Sequence, residues 1–281
     1  MNSPRSWFAV AIASFWLLFA AGATPVQATL PAQPAQDDSL YLPMITLPPE
    51  PAAAKLGADF GNLILADGVL EQDFPLAKQM GAQWQRVEVP WLHVEATRGV
   101  YTWEKYDAVV ARAAELGFNV LILIHSSPDW AAEEGCGPIT DTAAFETFLA
   151  AAIERYGDRA GAWEFMNEPD GIAPNTALGP TIGCWAPYPD QYAAQLGLFY
   201  NKVKELDPTA QVLFGSLAYD SWTKFDRAFL DNALRNGASR YFDVLGIHYY
   251  PFNLKEFPTA TAKLREVQAT MSKHLVWNKA I

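Results

Sequence analysis

The chain has 281 residues, 51% hydrophobic and 18% charged, which is long enough for one barrel-sized domain and excludes a disordered protein. Its formal charge of −11 argues against nucleic acid or an anionic membrane surface as a partner and suits a neutral ligand better. Ten Trp and eleven Tyr are compatible with sugar stacking, although most aromatics in any barrel belong to the core.

Residues 1–28 carry one early cation, Arg5, an apolar run from Trp7 to Ala21, and small residues at Ala21-Gly22-Ala23 and Val26-Gln27-Ala28. This pattern reads as a secretory signal peptide, too short for a comfortable membrane span, with an uncleaved N-terminal anchor as the alternative. No Cys follows the run, which argues against a lipoprotein. Residues 29–55 are rich in Pro, Ala and Gln and form an extended linker that buries no core. The expected protein is therefore secreted, or N-terminally anchored, with its folded domain at 56–281 and no membrane contact after signal cleavage.

From Leu56 the chain alternates strand and helix. Leu56 to Leu65 reads as a first strand, followed by a short helix from Asp73 to Met80. Gln83 to Pro90 is a second strand whose Trp84, Val87 and Val89 keep no single parity, so both faces are buried. Arg86 then needs a carboxylate or several acceptors, because an unpaired buried cation costs several kcal/mol, and Glu88 on the same face is the local partner. A helix with Tyr106, Val109, Val110, Ala113 and Leu116 at helical spacing ends at Gly117. The apolar third strand, Phe118 to Ile124, delivers His125 and Trp130 to its carboxyl end. Thr140 or Asp141 caps the third helix, which runs to Gly157.

Trp163-Glu164-Phe165-Met166-Asn167-Glu168-Pro169 follows, a buried fourth strand closed by a proline that cannot donate to a ladder. Asn167 and Glu168 thus lie at the carboxyl end, where active sites of parallel α/β folds lie. Adjacent strand residues face opposite ways, so both side chains reach one pocket only if the strand end is kinked. Gly171 to Pro189 is a long irregular loop whose Trp185 either walls a cleft or packs the loop down. A fourth helix (Asp190 to Leu206), a fifth strand (Gln211 to Leu217), a fifth helix (Trp222 to Asn236), a sixth strand (Phe242 to Tyr249) and a sixth helix (Thr259 to His274) complete six units. His248 and Tyr250 share a face at the end of the sixth strand.

The Asn167-Glu168-Pro169 motif and these flanking stretches resemble the retaining (β/α)8-barrel glycoside hydrolases, most of all family 39, the β-xylosidase and α-L-iduronidase group, with family 5 cellulase-type enzymes as neighbours. The resemblance runs from about Leu56 to the last residue. It implies a TIM barrel acting on O-glycosyl bonds of a β-linked oligo- or polysaccharide. Glu168 would be the general acid/base and Asn167 would bond the sugar 2-hydroxyl. Arg86, His125, His248 and Tyr250 would shape the subsite, while Trp130 and Trp185 contact substrate. It implies no metal and no organic cofactor.

Six βα units and the approach to a seventh strand, Leu275 to Ile281, are present, so the barrel reads as C-terminally incomplete. In the relatives the nucleophilic Glu ends strand seven, and retention needs two carboxyl groups roughly 5–5.5 Å apart. Glu88, Asp129, Asp170 and Asp220 lie near the same rim, but nothing selects one of them. The expectation is a fragment or truncated reading frame whose nucleophile lies beyond Ile281. A non-catalytic carbohydrate-binding barrel, holding a glycan on Trp130 and Trp185, is the alternative. Finally, the two cysteines, Cys136 and Cys184, fall in consecutive loops on one rim of an exported chain, which predicts a disulfide between them.

Overall fold

The structure, a computed structural model, describes residues 16–17, 56–61, 64, 66–172, 183–219, 224–249 and 257–281. The signal peptide and linker expectations therefore fall, apart from 16–17, outside the described residues, as does Tyr250.

Six strands, β1 (Leu56–Asp59), β2 (Trp84–Pro90), β3 (Asn119–His125), β4 (Ala160–Phe165), β5 (Gln211–Leu217) and β6 (Val244–Ile247), pair in parallel in the order of the chain. They alternate with helices into a curled half-barrel, the (β/α)8 architecture carried through six strands. Outside β1 the two-residue strand Trp16–Leu17 pairs antiparallel with Leu56 and Gly57. Beyond β6, Ala280 forms a parallel bridge to Val244, so the stretch expected to approach a seventh strand occupies that strand's place.

β1 is shorter than expected because Asp59 Oδ1 accepts the Gly61 N–H at 2.8 Å and turns the chain there. A π-helical turn, Val69–Asp73, leads into α1 (Phe74–Gln79). One turn of helix, α2 (Trp91–Val94), directly continues β2 and was not legible in the sequence. α3 (Glu104–Glu115) and α4 (Thr142–Tyr156) follow, and Asp141 rather than Thr140 caps α4, accepting the Ala144 N–H at 3.0 Å. α5 (Pro189–Leu206), α6 (Phe229–Arg235) and α7 (Ala260–Lys273) complete the outer layer, with Thr259 capping α7.

The alternation of β4 sorts the interior. Trp163 and Phe165 face the helices, and the Phe165 ring lies 5.2 Å from Phe199, 5.4 Å from Tyr192 and 5.8 Å from Trp185. Ala162 points inside the barrel, where it meets Leu213, Val244, Trp84 and Leu121. Glu164 shares that inward face and is fully buried. An ionised carboxylate there is tolerated only with a cation on a facing strand.

Candidate active site

The cation is Arg86 on β2. Its Nε donates to Glu164 Oε2 at 2.7 Å, Nη1 to Asp59 Oδ2 at 3.0 Å and Glu88 Oε1 at 3.2 Å, and Nη2 to Asn167 Oδ1 at 2.9 Å. One guanidinium thus ties the carboxyl ends of β1, β2 and β4 together. Glu88 is a partner, as expected, but the fully buried and shorter contact is Glu164, whose other oxygen accepts the Ser216 N–H from β5 at 2.9 Å. Burial lowers the Arg86 value, and Glu164 and Asp59 outweigh it, leaving the guanidinium above its ordinary value. Burial likewise pushes Glu164 up, and Arg86 with the Ser216 N–H more than reverses this, leaving its carboxyl below the ordinary value. For Glu88 burial prevails over Arg86 and its carboxyl is raised.

Asn167 and Glu168 reach the same pocket because the backbone leaves the strand early. β4 stops at Phe165, and Met166 and Glu168 adopt left-handed φ values of 64° and 44°. Such conformations cost of order 1–3 kcal/mol for residues with a Cβ and persist only where the surroundings fix them. Here β5 supplies the fixing: the Glu168 N–H donates to the Ser216 carbonyl at 2.9 Å. Gly215 lets the bulge in, since a Cβ at that position would lie 2.4 Å from the carbonyl oxygens of both Phe165 and Met166. The neighbouring rim is bent in the same way at Ser126 after β3 (φ 53°) and Tyr219 after β5 (φ 45°).

Glu168 is 4% exposed, and its Oε1 meets His248 Nδ1 from the end of β6 at 2.7 Å. Two residues on, Asp170 is buried and accepts the N–H groups of Ala218 at 3.1 Å and Tyr219 at 2.7 Å, clamping the loop after β4 to the loop after β5. Burial and the charge of Glu168 push Asp170 up to about 7 against those two hydrogen bonds. His125, at the end of β3, bonds Ser126 Oγ through Nδ1 at 2.7 Å. Burial, with Arg86 adding to it, pushes its imidazole down to about 3, so it is neutral at physiological pH.

Arg86, His125, Asn167, Glu168 and His248 therefore converge at the carboxyl ends of the strands. Trp130 stands on the rim after β3: its Nε1 donates to the Glu95 carbonyl at 3.2 Å, its ring is perpendicular to that of Trp91, and the Arg98 guanidinium lies over its face. Trp185 is a correction. It is 0% exposed, wedged against Phe165 and Tyr192, so it packs the loop onto the core and has no face to offer a sugar. Cys136 and Cys184 are joined as a disulfide with Cα atoms 5.3 Å apart, in the loops after β3 and β4. Asp59 and Glu164 were missed as site residues. Glu164 carried a signal, being the sole carboxylate within an apolar strand that faces an arginine-bearing one.

Residues 65–275 match the profile of the cellulase family, glycosyl hydrolase family 5. Among solved structures, a family 39 glycoside hydrolase from Bacteroides cellulosilyticus is similar at 23% identity and TM-score 0.50, over 65% of this chain and 36% of that one. An endo-1,4-β-mannanase from Rhizomucor miehei is similar at 14% identity and TM-score 0.57, over 83% and 77%. A β-xylosidase from Caulobacter crescentus is similar at 14% identity and TM-score 0.56, over 77% and 48%. The chain spans 36% and 46% of the length of the first two structures it matches. No protein of curated function matches the sequence.

Proposed function

The chain belongs to the cellulase family, glycosyl hydrolase family 5, and from that premise we propose that it hydrolyses O-glycosyl bonds of a β-linked oligo- or polysaccharide with retention, Glu168 acting as general acid/base. The observation that carries this reading is the pair at the kinked end of β4. Glu168 Oε1 is held by His248 Nδ1, and Arg86 Nη2 donates to the Asn167 side-chain oxygen, so both side chains are fixed at the rim of the barrel. Glu168 would protonate the leaving oxygen and then deprotonate the attacking water. We place the nucleophile on the seventh strand, whose position Ala280 marks beside Val244, by analogy with the retaining relatives. We also propose that the protein is secreted, a reading supported by the pattern of residues 1–28 and by a disulfide of the kind that persists in oxidising compartments. The burial of Trp185 removes one of the two platforms that the non-catalytic sugar-binding alternative requires.

The test compares the 281-residue chain with the same chain joined to strands completing the barrel, on aryl β-glycosides. The completed barrel should turn over at roughly 1–1000 per second, and the 281 residues alone poorly or not at all. Glu168→Gln should slow glycosides with poor leaving groups by about 10²–10⁴-fold and activated dinitrophenyl glycosides far less. An equal effect on both would remove the acid role from Glu168. Full turnover by the 281 residues would refute the placing of the nucleophile on strand seven.

A further inference from the structure

The peptide that joins Asn167 to Glu168 is gripped on both edges. Its N–H, belonging to Glu168, donates to the Ser216 carbonyl at 2.9 Å, and its carbonyl, belonging to Asn167, accepts the Gly183 N–H at 2.7 Å. A peptide unit is planar, so two opposed bonds set its tilt and with it the direction in which the Glu168 side chain leaves the backbone. Gly183 opens a short strap, residues 183–186, that runs behind the kink. Trp185 donates from it to the Pro169 carbonyl at 3.1 Å, and Ala186 to that of Gly171 at 3.0 Å. The approach is close enough to require glycine: a Cβ at Gly183 would lie 2.8 Å from Pro169 Cα, 2.9 Å from the Asn167 carbonyl oxygen and 3.0 Å from that of Glu168.

The strap is tied to the neighbouring loop by the disulfide. Cys184, next to Gly183, is joined to Cys136 by the bridge and by its own N–H, which donates to the Cys136 carbonyl at 3.0 Å. Cys136 in turn follows Gly135, whose carbonyl accepts the N–H of Ser127, two residues beyond His125, at 2.7 Å. The bridge thus couples the rim after β3 to the back of the bulge that carries Glu168. That bulge needs a firm backing. Met166 and Glu168 are both left-handed, and one peptide hydrogen bond is worth no more than the strain of one such residue.

We propose that Gly183 and the Cys136–Cys184 disulfide are positioning residues for Glu168. They lock the Asn167–Glu168 peptide so that the carboxyl stays on His248. Without the lock the peptide rotates out of its left-handed state and carries the carboxyl away from the imidazole. The inference rests on the reading of Glu168 as general acid/base and adds to it a dependence on oxidation state, the acid being aimed only while the bridge is closed.

The test uses the full 281-residue chain, 15N-labelled, and reads its histidine imidazoles by NMR, with His248→Gln giving the assignment. His274, which bonds Asp231 of α6 at 2.7 Å from the end of α7, is the internal reference. Oxidised wild type is compared with wild type reduced by dithiothreitol, whose two thiols close to a cyclic disulfide as the bridge gains two electrons and two protons. The Cys136→Ser/Cys184→Ser and Gly183→Ala variants are compared alongside. Circular dichroism and the His274 resonances should stay as in the oxidised protein, while those of His248 shift in all three. The Glu168 amide should exchange at least about tenfold faster once the loss common to the β3 amides is divided out. Three results overturn the proposal. The first is an unmoved His248 and Glu168 amide in folded protein that lacks the bridge, which leaves the strap held by Trp185 and its main-chain bonds alone. The second is loss of circular dichroism on reduction, which makes the bridge a brace of the whole fold. The third is a folded Gly183→Ala with His248 in place. No arm involves turnover, so these outcomes are separate from the glycoside assay, which alone decides whether Glu168 is the acid.

Discussion

Replacing Arg86 with Met keeps most of the side-chain volume and removes the one charge that the site is assembled around. Four hydrogen bonds go, and Glu164, fully buried, is left with the Ser216 N–H alone. Breaking a buried pair from one side costs about 3–5 kcal/mol, chiefly the penalty of an uncompensated charge. The pH dependence identifies the source. In the wild type the Glu164 carboxyl lies below its ordinary value, so its contribution is present above the unfolded value of about 4.5 and lost on acidification. In the variant burial is opposed by the Ser216 N–H alone, its folded value rises above the unfolded one, and its contribution turns unfavourable as pH increases. The gap between wild type and variant should therefore be about 3–5 kcal/mol at pH 7 and shrink toward about 1 kcal/mol near pH 4, where the carboxyl is protonated in the variant. Urea unfolding followed by tryptophan fluorescence at the two pH values measures this. Adding Glu164→Gln to Arg86→Met should recover about 2 kcal/mol at pH 7. A loss equal at both pH values, or a double variant no better than the single, would refute the charge argument and leave packing as the cause.

Asp170 has the opposite sign. Its folded value of about 7 exceeds the ordinary 3.8, so the folded state holds a proton that the unfolded chain gives up, and stability falls as pH rises between those values by at most about 4 kcal/mol. Asp170→Asn should flatten that stretch of the stability profile, and urea midpoints at pH 5 and 7.5 that track wild type would show that Asp170 is not its source. Gly215→Ala places a methyl against two backbone carbonyls that have no room to give, so a loss of at least about 1–3 kcal/mol is expected, and a thermal melt within a degree of wild type would mean that β5 shifts freely. Cys136→Ser with Cys184→Ser opens a loop spanning 48 residues and should cost about 4 kcal/mol in the chain-entropy account, while thiol labelling of unreduced, denatured wild type should find no reactive cysteine.

How much of this was legible follows from how local each signal is. The six strands and their alternating helices are written in runs of apolar residues closed by Gly or Pro, and all six strands stand where those runs put them, most within two residues. The kink at Asn167-Glu168 could be argued from parity alone, and Met166 and Glu168 show how the backbone achieves it. Arg86 announced that it needed a carboxylate or several acceptors but not which. The nearest candidate in sequence was Glu88, whereas Glu164, 78 residues away, comes within reach only once β4 lies two strands over in the sheet. Trp185 failed differently, because a tryptophan in a Gly- and Pro-rich loop reads the same whether it faces solvent or core, and burial against Phe165 and Tyr192 is decided by tertiary packing.

The order of the strands has a further bearing on how the molecule is made. Because each strand pairs with the one synthesised just before it, a ribosome delivers every new strand to an edge that has already left the exit tunnel, and no pairing waits for a distant segment. The charged hub does not share this schedule. Arg86 emerges with the second strand, but Glu164 and Asn167 arrive only with the fourth, and Ser216, which completes the shell of Glu164, with the fifth. Until then the guanidinium keeps its water. The pocket is thus dehydrated only once the fifth strand has paired, after the earlier strands that bear it have set.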